Sequence, residues 1–278
     1  MKIAQRLELI IIMTLLTKFS NAQLQAGDSL QAIREFVQLR QMYNHLPVEL
    51  QIHVQNSSVP FSNAADTLKT DMDVYYDDRS FYLKAEGLEE IVNDSLMIMV
   101  NNPAKTVLLY HNNQDIISNM EKSVMAIMPD SSIDALAKKY ASSISPDGKD
   151  KNRIELKSRM KVYGTAFPKE SVVVSYRVSI HQPIEFSRTK TLLAPVDSIS
   201  YHGLMKDPAF DGKLVSASTS AGNVFFIVKE VTTSFRFDKI DHDVKLPPVT
   251  GNERVTRQAN GEYVMAKGFE DYTLTKEF

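Results

Sequence analysis

Apolar and polar residues near the start of the chain follow two different periods, and each period predicts a different element. Between residues 30 and 39 the apolar side chains share one helical face, which predicts an amphipathic helix capped by Asp28 or Ser29 and running to Tyr43. From residue 48 the period changes to two, which predicts an antiparallel strand with one exposed face. The apolar positions of this strand are Val48, Leu50, Ile52 and Val54.

A series of short strands follows. Alternation places Met72, Val74 and Tyr76 on one face of a strand over residues 70–76, and Phe81 to Lys84 returns after a turn. Two further strands are predicted at about 91–100 and 106–110. Strands at this spacing, separated by polar turn residues, predict a meander of hairpins.

One segment of this meander does not alternate. Residues 96–100, with the sequence LMIMV, are consecutive apolar side chains. A strand with one face in water reads apolar, polar, apolar, so both faces of this strand are expected to be covered. A second layer of protein, a ligand or a membrane can supply such a cover. The run lies among hairpin turns and is too short for a membrane helix, which needs about 20 residues.

The pattern becomes helical from Gln114 to Ser145, with a break at Pro129. Residues 146–150 (PDGKD) are a loop and a predicted sub-boundary, and residues 181–212 are predicted to be irregular. The remaining strands are predicted at 154–156, 160–163, 172–180, 214–218, 224–232, 234–237, 263–266 and 271–274. This order of elements predicts an α+β fold with a largely antiparallel sheet.

The first 22 residues are predicted to be a secretory signal peptide. Lys2 and Arg6 precede the short apolar run of residues 9–16, and small residues before Gln23 form a cleavage site. This assigns residues 1–22 to the signal peptide and residues 23–278 to a single α+β domain. The chain has no cysteine, which excludes a lipid-anchored bacterial signal. We expect export across the inner membrane into a Gram-negative periplasm.

Net charge limits the possible binding partners, and the lack of cysteine limits how the fold can be stabilised. The formal net charge is −2, and it becomes −4 without residues 1–22, because three basic residues and one acidic residue are lost. A nucleic-acid or polybasic membrane-surface role needs clustered positive charge, so we predict no nucleic-acid partner. Without cysteine there are no disulfides, and stability must come from the apolar core.

No sequence motif for catalysis or for a metal site is present. The six histidines form no HExxH or HxH pair, and the chain has no P-loop, GxGxxG or GxSxG segment. The carboxylates near residues 71–78 and 238–243 are interpreted as exposed positions of a hairpin and a surface loop rather than as calcium or other metal sites. We predict no catalytic residue, no metal, no cofactor and no enzyme activity.

Methionines cluster at the non-alternating strand and soon after it. Met97 and Met99 lie in the strand, and Met120, Met125 and Met128 lie in the predicted helix. Methionine is flexible and polarizable, so it fills irregular cores and also suits surfaces that accept irregular apolar ligands. The residues alone leave two interpretations open, a packed core between helices and sheet or an acyl-chain cavity between them.

The order of elements resembles the LolA-like periplasmic lipoprotein carriers. The resemblance lies mainly in residues 28–130: an amphipathic helix, alternating strands, the strand Phe81 to Lys84, and residues 90–96 (EIVNDSL) with Asn93-Asp94-Ser95 as the turn before an apolar strand. The resemblance implies a curved sheet that forms an incomplete barrel. It also implies helices that cover the concave face, and an apolar interior that shields acyl chains.

We therefore predict a periplasmic, non-enzymatic protein that binds an apolar ligand such as lipid or lipoprotein acyl chains, and that is not an integral membrane protein. The alternative is an envelope structural or interaction protein with a filled core and no ligand, which would have other envelope proteins as partners. The predicted ligand-binding residues are Ile52, Val54, Val74, Tyr76, Phe81, Leu83, Ile98, Val100, Leu109, Met125 and Met128.

Overall fold

The computed structural model describes residues 29–40, 45–61, 64–111, 132–220 and 222–277. The chain divides into two compact units. Unit 1 comprises Met1–Leu39, Ser131–Gln182 and Lys190–Val228, and unit 2 comprises Arg40–Asp130, Pro183–Thr189 and Lys229–Phe278. The predicted limits of the signal peptide and of the single domain remain predictions.

Strands predominate in both units. The strands are β1 (Val48–Val59), β2 (Lys69–Tyr76), β3 (Phe81–Ala85), β4 (Leu88–Val92), β5 (Leu96–Asn101), β6 (Thr106–His111), β7 (Tyr140–Pro146), β8 (Lys151–Ser158), β9 (Glu170–Arg177), β10 (Gln182–Val196), β11 (Leu214–Thr219), β12 (Gly222–Asp241), β13 (Val255–Arg257), β14 (Tyr263–Met265) and β15 (Thr273–Glu277). The α-helices of the described ranges are α1 (29–40), α2 (Ile133–Lys139) and α3 (Ser198–Leu204). Single 3-10 turns occur at Ala64–Thr67, Pro208–Phe210 and Gly251–Glu253. No helix of these ranges is long and apolar enough to cross a membrane.

Unit 2 contains the predicted meander. Its strands pair in the order β6-β5-β4-β3-β2-β1-β12, all antiparallel, and β15 adds to β6 in parallel. The predicted fold class is confirmed: the protein is α+β, with a large, curved and mostly antiparallel sheet.

The register of β3 to β6 separates two rows of side chains. Tyr82, Ile91, Ile98 and Leu109 are directly paired across the strands and form what we call the covered face. The next row, on the other side of the sheet, consists of Leu83, Glu90, Met99 and Leu108, and we call it the cavity face. Because side chains alternate along a strand, Ile98 and Met99 project to opposite sides.

The C-terminal segment, residues 244–274, fills the covered face. Tyr82, Ile91, Ile98 and Leu109 are buried together with Val255 of β13. Around this core lie partly buried apolar residues of the same segment, namely Val244, Val249, Tyr263, Met265, Phe269, Tyr272 and Leu274. In unit 2 the cover that the structure describes for this side of the sheet is thus strands and loops rather than a helix.

An ion pair fixes this segment to the sheet. Arg254 donates from Nε and Nη2 to Oε2 of Glu89, at 2.9 and 2.8 Å, and Asn102 Nδ2 donates to Oε1 of Glu89 at 3.0 Å. Both charged side chains are largely buried. The guanidinium also lies 4.7 Å from the ring centroid of Phe269. The buried carboxylate therefore has partners for both of its oxygens, as burial of a charge requires.

In unit 1 helix α1 contacts β7 and β9 through polar side chains. Its apolar side chains Ala32, Ile33, Phe36 and Leu39 are fully buried. The Ser29 and Ser142 hydroxyls are 2.7 Å apart, the Tyr176 hydroxyl donates to Glu35 Oε2 at 3.3 Å, and the same oxygen lies 2.6 Å from His181 Nε2. The predicted N-terminal helix is confirmed over the described part of its range.

Several secondary-structure predictions were wrong. No strand forms at residues 160–163, where Lys161 makes only an isolated bridge, and the two strands predicted at 224–232 and 234–237 are the single strand β12. Residues 140–145 are not helical: α2 ends at Lys139, and the chain continues directly as β7, in which Tyr140, Ser142 and Ile144 pair with β8 on one face. Residues 181–212 contain β10 and α3 rather than irregular chain. The predicted strand 91–100 is two strands, because Asn93 Oδ1 accepts the N–H groups of Ser95 and Leu96 in a turn. The helical prediction for residues 114–131 lies outside the described residues.

Candidate functional site

A cavity of about 400 Å³ opens on the cavity face of unit 2. This volume lies in the range of small-molecule binding sites, roughly 300–1,000 Å³. Its lining comes from β3, β4, β5 and β6 and consists of Leu83, Ala85, Leu88, Glu89, Glu90, Met99, Val100, Asn101, Thr106 and Leu108. Most of these side chains are apolar, so the cavity suits a hydrocarbon chain better than a polar solute.

Two tight turns shape one end of the cavity. Gly87, in the β3–β4 turn, has a φ of +81°, and a Cβ at this position would lie 3.1 Å from Pro103 Cδ in the β5–β6 turn. A side chain is thus excluded by backbone conformation and by space. Asn101 Oδ1 accepts the Ala104 N–H at 3.0 Å and stabilises the second turn. The close packing of the turns sets Leu88 beside Asn101 across the β4–β5 pair.

Apolar side chains are exposed at the cavity. Met99 is 39% exposed and Leu88 is 53% exposed, whereas Ile98, next to Met99 in β5, is 0% exposed. An exposed methionine or leucine alone needs no explanation, but here both line one concave apolar surface. Apolar area that stays in contact with water is area that a ligand can bury.

Glu90 is the one ionizable group of the cavity-face row. It pairs in register with Leu83 on one side and Met99 on the other. Among the described residues no group donates a hydrogen bond to its carboxylate or forms an ion pair with it. Burial raises the pKa of Glu90, because loss of water disfavours the charged form. The neighbouring Glu89 belongs to the covered face and is paired with Arg254.

The predicted ligand-binding residues divide between the two sides of the sheet. Leu83 lines the cavity, and Val100 contacts it although its side chain is buried in the core of the covered face. Val74 and Tyr76 of β2 and Phe81 of β3 project to the same side as Leu83. Ile52 and Val54 of β1 also project to this side, but none of these five lines the cavity. Ile98 and Leu109 belong to the filled core of the covered face. Met125 and Met128 lie outside the described residues.

Sequence reasoning did not identify Leu88, Glu90, Met99 and Leu108 as lining residues. The signal for Met99 was present, because a strand whose neighbours Ile98 and Val100 face one core must direct Met99 to the other side. No signal identified Glu90, since a single carboxylate in a strand is ordinarily on a solvent-exposed side.

The acidic hairpin of β2 and β3 is a structural turn. Asp77 accepts the backbone N–H groups of Arg79 and Ser80 at 2.7 and 2.6 Å, and the Tyr75 hydroxyl donates to it at 2.8 Å. Burial acts to raise the pKa of Asp77, but these hydrogen bonds outweigh it and the pKa is lowered. Its oxygens are thus occupied by the turn itself.

The second acidic segment is engaged in surface pairs. Asp238 pairs with Arg236 at 2.9 Å and Asp241 with Lys239 at 3.4 Å, and His242 Nδ1 donates to the His45 carbonyl at 2.7 Å. In the ranges that the structure describes, no group of three or more histidine or acidic side chains could hold a metal ion.

Comparison with known proteins gives likeness at the level of structure only. No protein-family model and no curated protein sequence matches the chain. Similar solved structures include a DUF1329 family protein from Desulfovibrio piger (10% identity, TM-score 0.30, 79% of this chain and 95% of that chain). They also include a LolA superfamily protein from Nitrosomonas europaea (7%, 0.27, 79% and 95%) and a domain named as an outer membrane lipoprotein-sorting protein from Vibrio parahaemolyticus (9%, 0.27, 80% and 95%). A protein of the LolA superfamily, which the order of elements in this sequence resembles, is among these similar structures.

Proposed function

We propose that this protein is an exported, non-enzymatic binding protein that holds a lipid acyl chain in the cavity of unit 2. The observation that carries the proposal is the apolar cavity of about 400 Å³ in which Leu88 and Met99 remain in contact with water. The predicted signal peptide would place the protein in the periplasm, where an acyl chain needs a protein cover to cross an aqueous compartment.

The driving force in this proposal is burial of hydrocarbon. Each methylene removed from water contributes about 0.8 kcal/mol, so a few methylenes inside the cavity give measurable affinity. Leu83, Leu88, Met99 and Leu108 supply the contacts, and the unbranched Met99 side chain can adjust to chains of different shape. No acid, base or nucleophile is required.

The test is the binding of a fluorescent fatty acyl probe to the delipidated protein. Met99→Arg places a charge on the cavity wall and is expected to weaken binding by at least about tenfold, the equivalent of roughly two lost methylenes. Leu246→Arg is the matched control, because Leu246 is 76% exposed and lies away from the cavity lining. We expect it to bind the probe within about twofold of wild type, as surface substitutions ordinarily do.

Melting temperatures near that of the wild type would show that both variants fold. Absence of saturable probe binding to the wild-type protein would contradict the proposal and favour the alternative of an envelope interaction protein without a ligand. Equal loss of binding in the two variants would also contradict it, because that result would assign binding to general surface hydrophobicity.

A further inference from the structure

We propose that the ligand of this cavity carries a primary ammonium group as well as an alkyl chain, and that the Glu90 carboxylate binds this ammonium. The inference rests on the proposed function and adds the chemical class of the ligand. The shared chemistry is a hydrocarbon chain with a primary ammonium, which a free long-chain amine and an ethanolamine lipid headgroup both present.

The position of Glu90 is the first argument. Its neighbours in the cavity-face row are Leu83, Met99 and Leu108, and all four line the cavity. A carboxylate among apolar side chains loses hydration, and a hydrogen-bond or ion partner normally compensates for the loss. The part of the chain that the structure describes offers Glu90 no such partner. A ligand can supply it.

The adjacent carboxylate shows what a compensated site looks like in this protein. Glu89 has two hydrogen bonds from Arg254 and one from Asn102. The contacts from Arg254 are charge-assisted and the one from Asn102 comes from an amide, and together they reach both carboxylate oxygens. They permit nearly complete burial of the Glu89 side chain. Glu90 lies one residue later in the same strand, yet it faces the cavity, and no donor of the described ranges reaches its carboxylate.

The charge of the cavity favours a cation. Among the described residues the lining contains no lysine, arginine or histidine, and its two acidic residues there are Glu89 and Glu90. Arg254 compensates the charge of Glu89, so within this described lining the negative charge of Glu90 has no basic partner. In a site of reduced water content this charge attracts an ammonium and repels a carboxylate more strongly than the same charge would in bulk water.

The pKa of Glu90 agrees with this assignment. Burial raises the pKa, because the loss of hydration disfavours the charged carboxylate. An ammonium within hydrogen-bond distance would reverse this effect by favouring the charged form, whereas an alcohol would do so only weakly. The ligand classes therefore differ most in affinity when Glu90 is ionized.

The experiment compares ligands with the same hydrocarbon chain. Dodecylamine, dodecanol and dodecanoate are titrated into the delipidated full-length protein below their micelle concentrations, at mildly alkaline pH and low salt, by isothermal calorimetry. We expect dodecylamine to bind at least about tenfold more tightly than dodecanol, the size of a charge-assisted hydrogen bond, and dodecanoate to bind most weakly.

Variants assign the preference to one residue. In Glu90→Gln the amine and the alcohol should bind with similar affinity, and in Glu90→Lys the order should invert so that dodecanoate binds best. Asp94→Asn is the matched control, because it removes the same charge from the exposed β4–β5 turn outside the cavity lining. It should retain the wild-type order.

The outcomes separate this inference from the proposed function. Equal binding of all three ligands to the wild type would overturn the inference and leave acyl-chain binding intact, whereas no binding of any of them would overturn both. A preference for the amine that survives in Glu90→Gln and is lost in Asp94→Asn would also overturn it. A last arm replaces dodecylamine with a lysophosphatidylethanolamine of the same chain length. If one of these two ammonium ligands binds more tightly than the other, and the difference is lost in Glu90→Gln, the result supports the inference. The tighter ligand then identifies the source of the ammonium.

Discussion

The two faces of the β3–β6 sheet differ in what completes them. On the covered face Ile98 and Leu109 pack against a C-terminal segment that ends as the added strand β15. On the cavity face Met99 and Leu108, one position away along the same strands, line a cavity. The same pair of strands thus contributes both to a filled core and to a cavity wall.

The difference between the faces is also visible in two adjacent carboxylates. Glu89 is buried and paired with Arg254, and it helps to hold the C-terminal segment on the sheet. Glu90 faces the cavity, where burial raises its pKa. On the covered face the Glu89 carboxylate is thus satisfied within the chain, whereas on the cavity face Glu90 has no partner among the described residues and apolar area stays in contact with water. Substitutions on the covered face should change stability, and those on the cavity face should change binding.

The largest loss of stability is expected for Arg254→Ala. This substitution leaves the buried Glu89 carboxylate without its ionic partner, which typically costs about 3–5 kcal/mol. Urea unfolding gives the change in the free energy of unfolding. Arg257→Ala is the control, because Arg257 is exposed and its guanidinium lies 5.8 Å from the Tyr263 ring centroid, so about 1 kcal/mol or less is expected. Similar losses in both variants would mean that the pair does not secure the covered face.

Neighbouring residues of β5 give the most direct contrast of the two faces. Ile98→Ala removes methylenes from a fully buried position and should cost about 2–5 kcal/mol. Met99→Ala, at a 39% exposed position, should cost less than about 1 kcal/mol, while it weakens binding of the acyl probe. Thermal and urea unfolding measure the first effect and probe titration the second. The contrast fails if Met99→Ala is as destabilizing as Ile98→Ala.

A smaller effect tests the contact between β5 and the C-terminal segment. A Cβ on Gly251 would lie 3.0 Å from Ile98 Cδ1, so Gly251→Ala overpacks the covered face and should cost about 1–3 kcal/mol. Ile98→Val removes the opposing Cδ1. In the double variant Gly251→Ala/Ile98→Val the cost of the alanine should fall by roughly 0.5 kcal/mol or more, measured as a double-mutant cycle. Strict additivity would show that the two residues do not touch.

The smallest effect concerns pH. The pKa of Glu90 is raised above its ordinary value of 4.5 in the folded protein, so the folded state binds this proton more tightly than the unfolded chain. The stability that this proton provides is fully present below the ordinary value, and it is lost as the pH rises through the raised folded-state pKa. Glu90→Gln should therefore remove a fall in stability with rising pH over this window.

Urea unfolding of wild type and Glu90→Gln between about pH 4 and about pH 8 measures the effect as the difference between the two curves. Asp77, whose pKa is lowered, makes the free energy of unfolding rise with pH instead of fall. Because Asp77 is present in both proteins, its contribution cancels in the difference. The other acidic lining residue, Glu89, also cancels, since Arg254 pairs with it in both. Parallel curves would show that burial of Glu90 has no consequence for stability.

The sequence predicted the meander because alternation at residues 48–54 and 70–76 leaves few other structures. It predicted that both faces of LMIMV are covered, which holds on the side of Ile98 but not on the cavity face, where Met99 is 39% exposed. It did not reveal that the cover of Ile98 comes from residues 244–274, since contacts between segments so distant in sequence leave no local periodicity. For the same reason Glu90 could not be assigned to the cavity: its role depends on Leu83 and Met99 in neighbouring strands.

The central claim, that the cavity face holds an acyl chain, is tested most directly by a tryptophan at position 99. The chain contains no tryptophan, so Met99→Trp introduces a single fluorescent reporter in the cavity wall. Tyr163→Trp, at a 79% exposed position of unit 1, provides the control. Addition of a phospholipid with brominated acyl chains should quench the cavity-wall reporter saturably and leave the control reporter unchanged, because bromine quenches only on close approach. Equal quenching of both reporters, or no quenching of the one in the cavity wall, would contradict the claim.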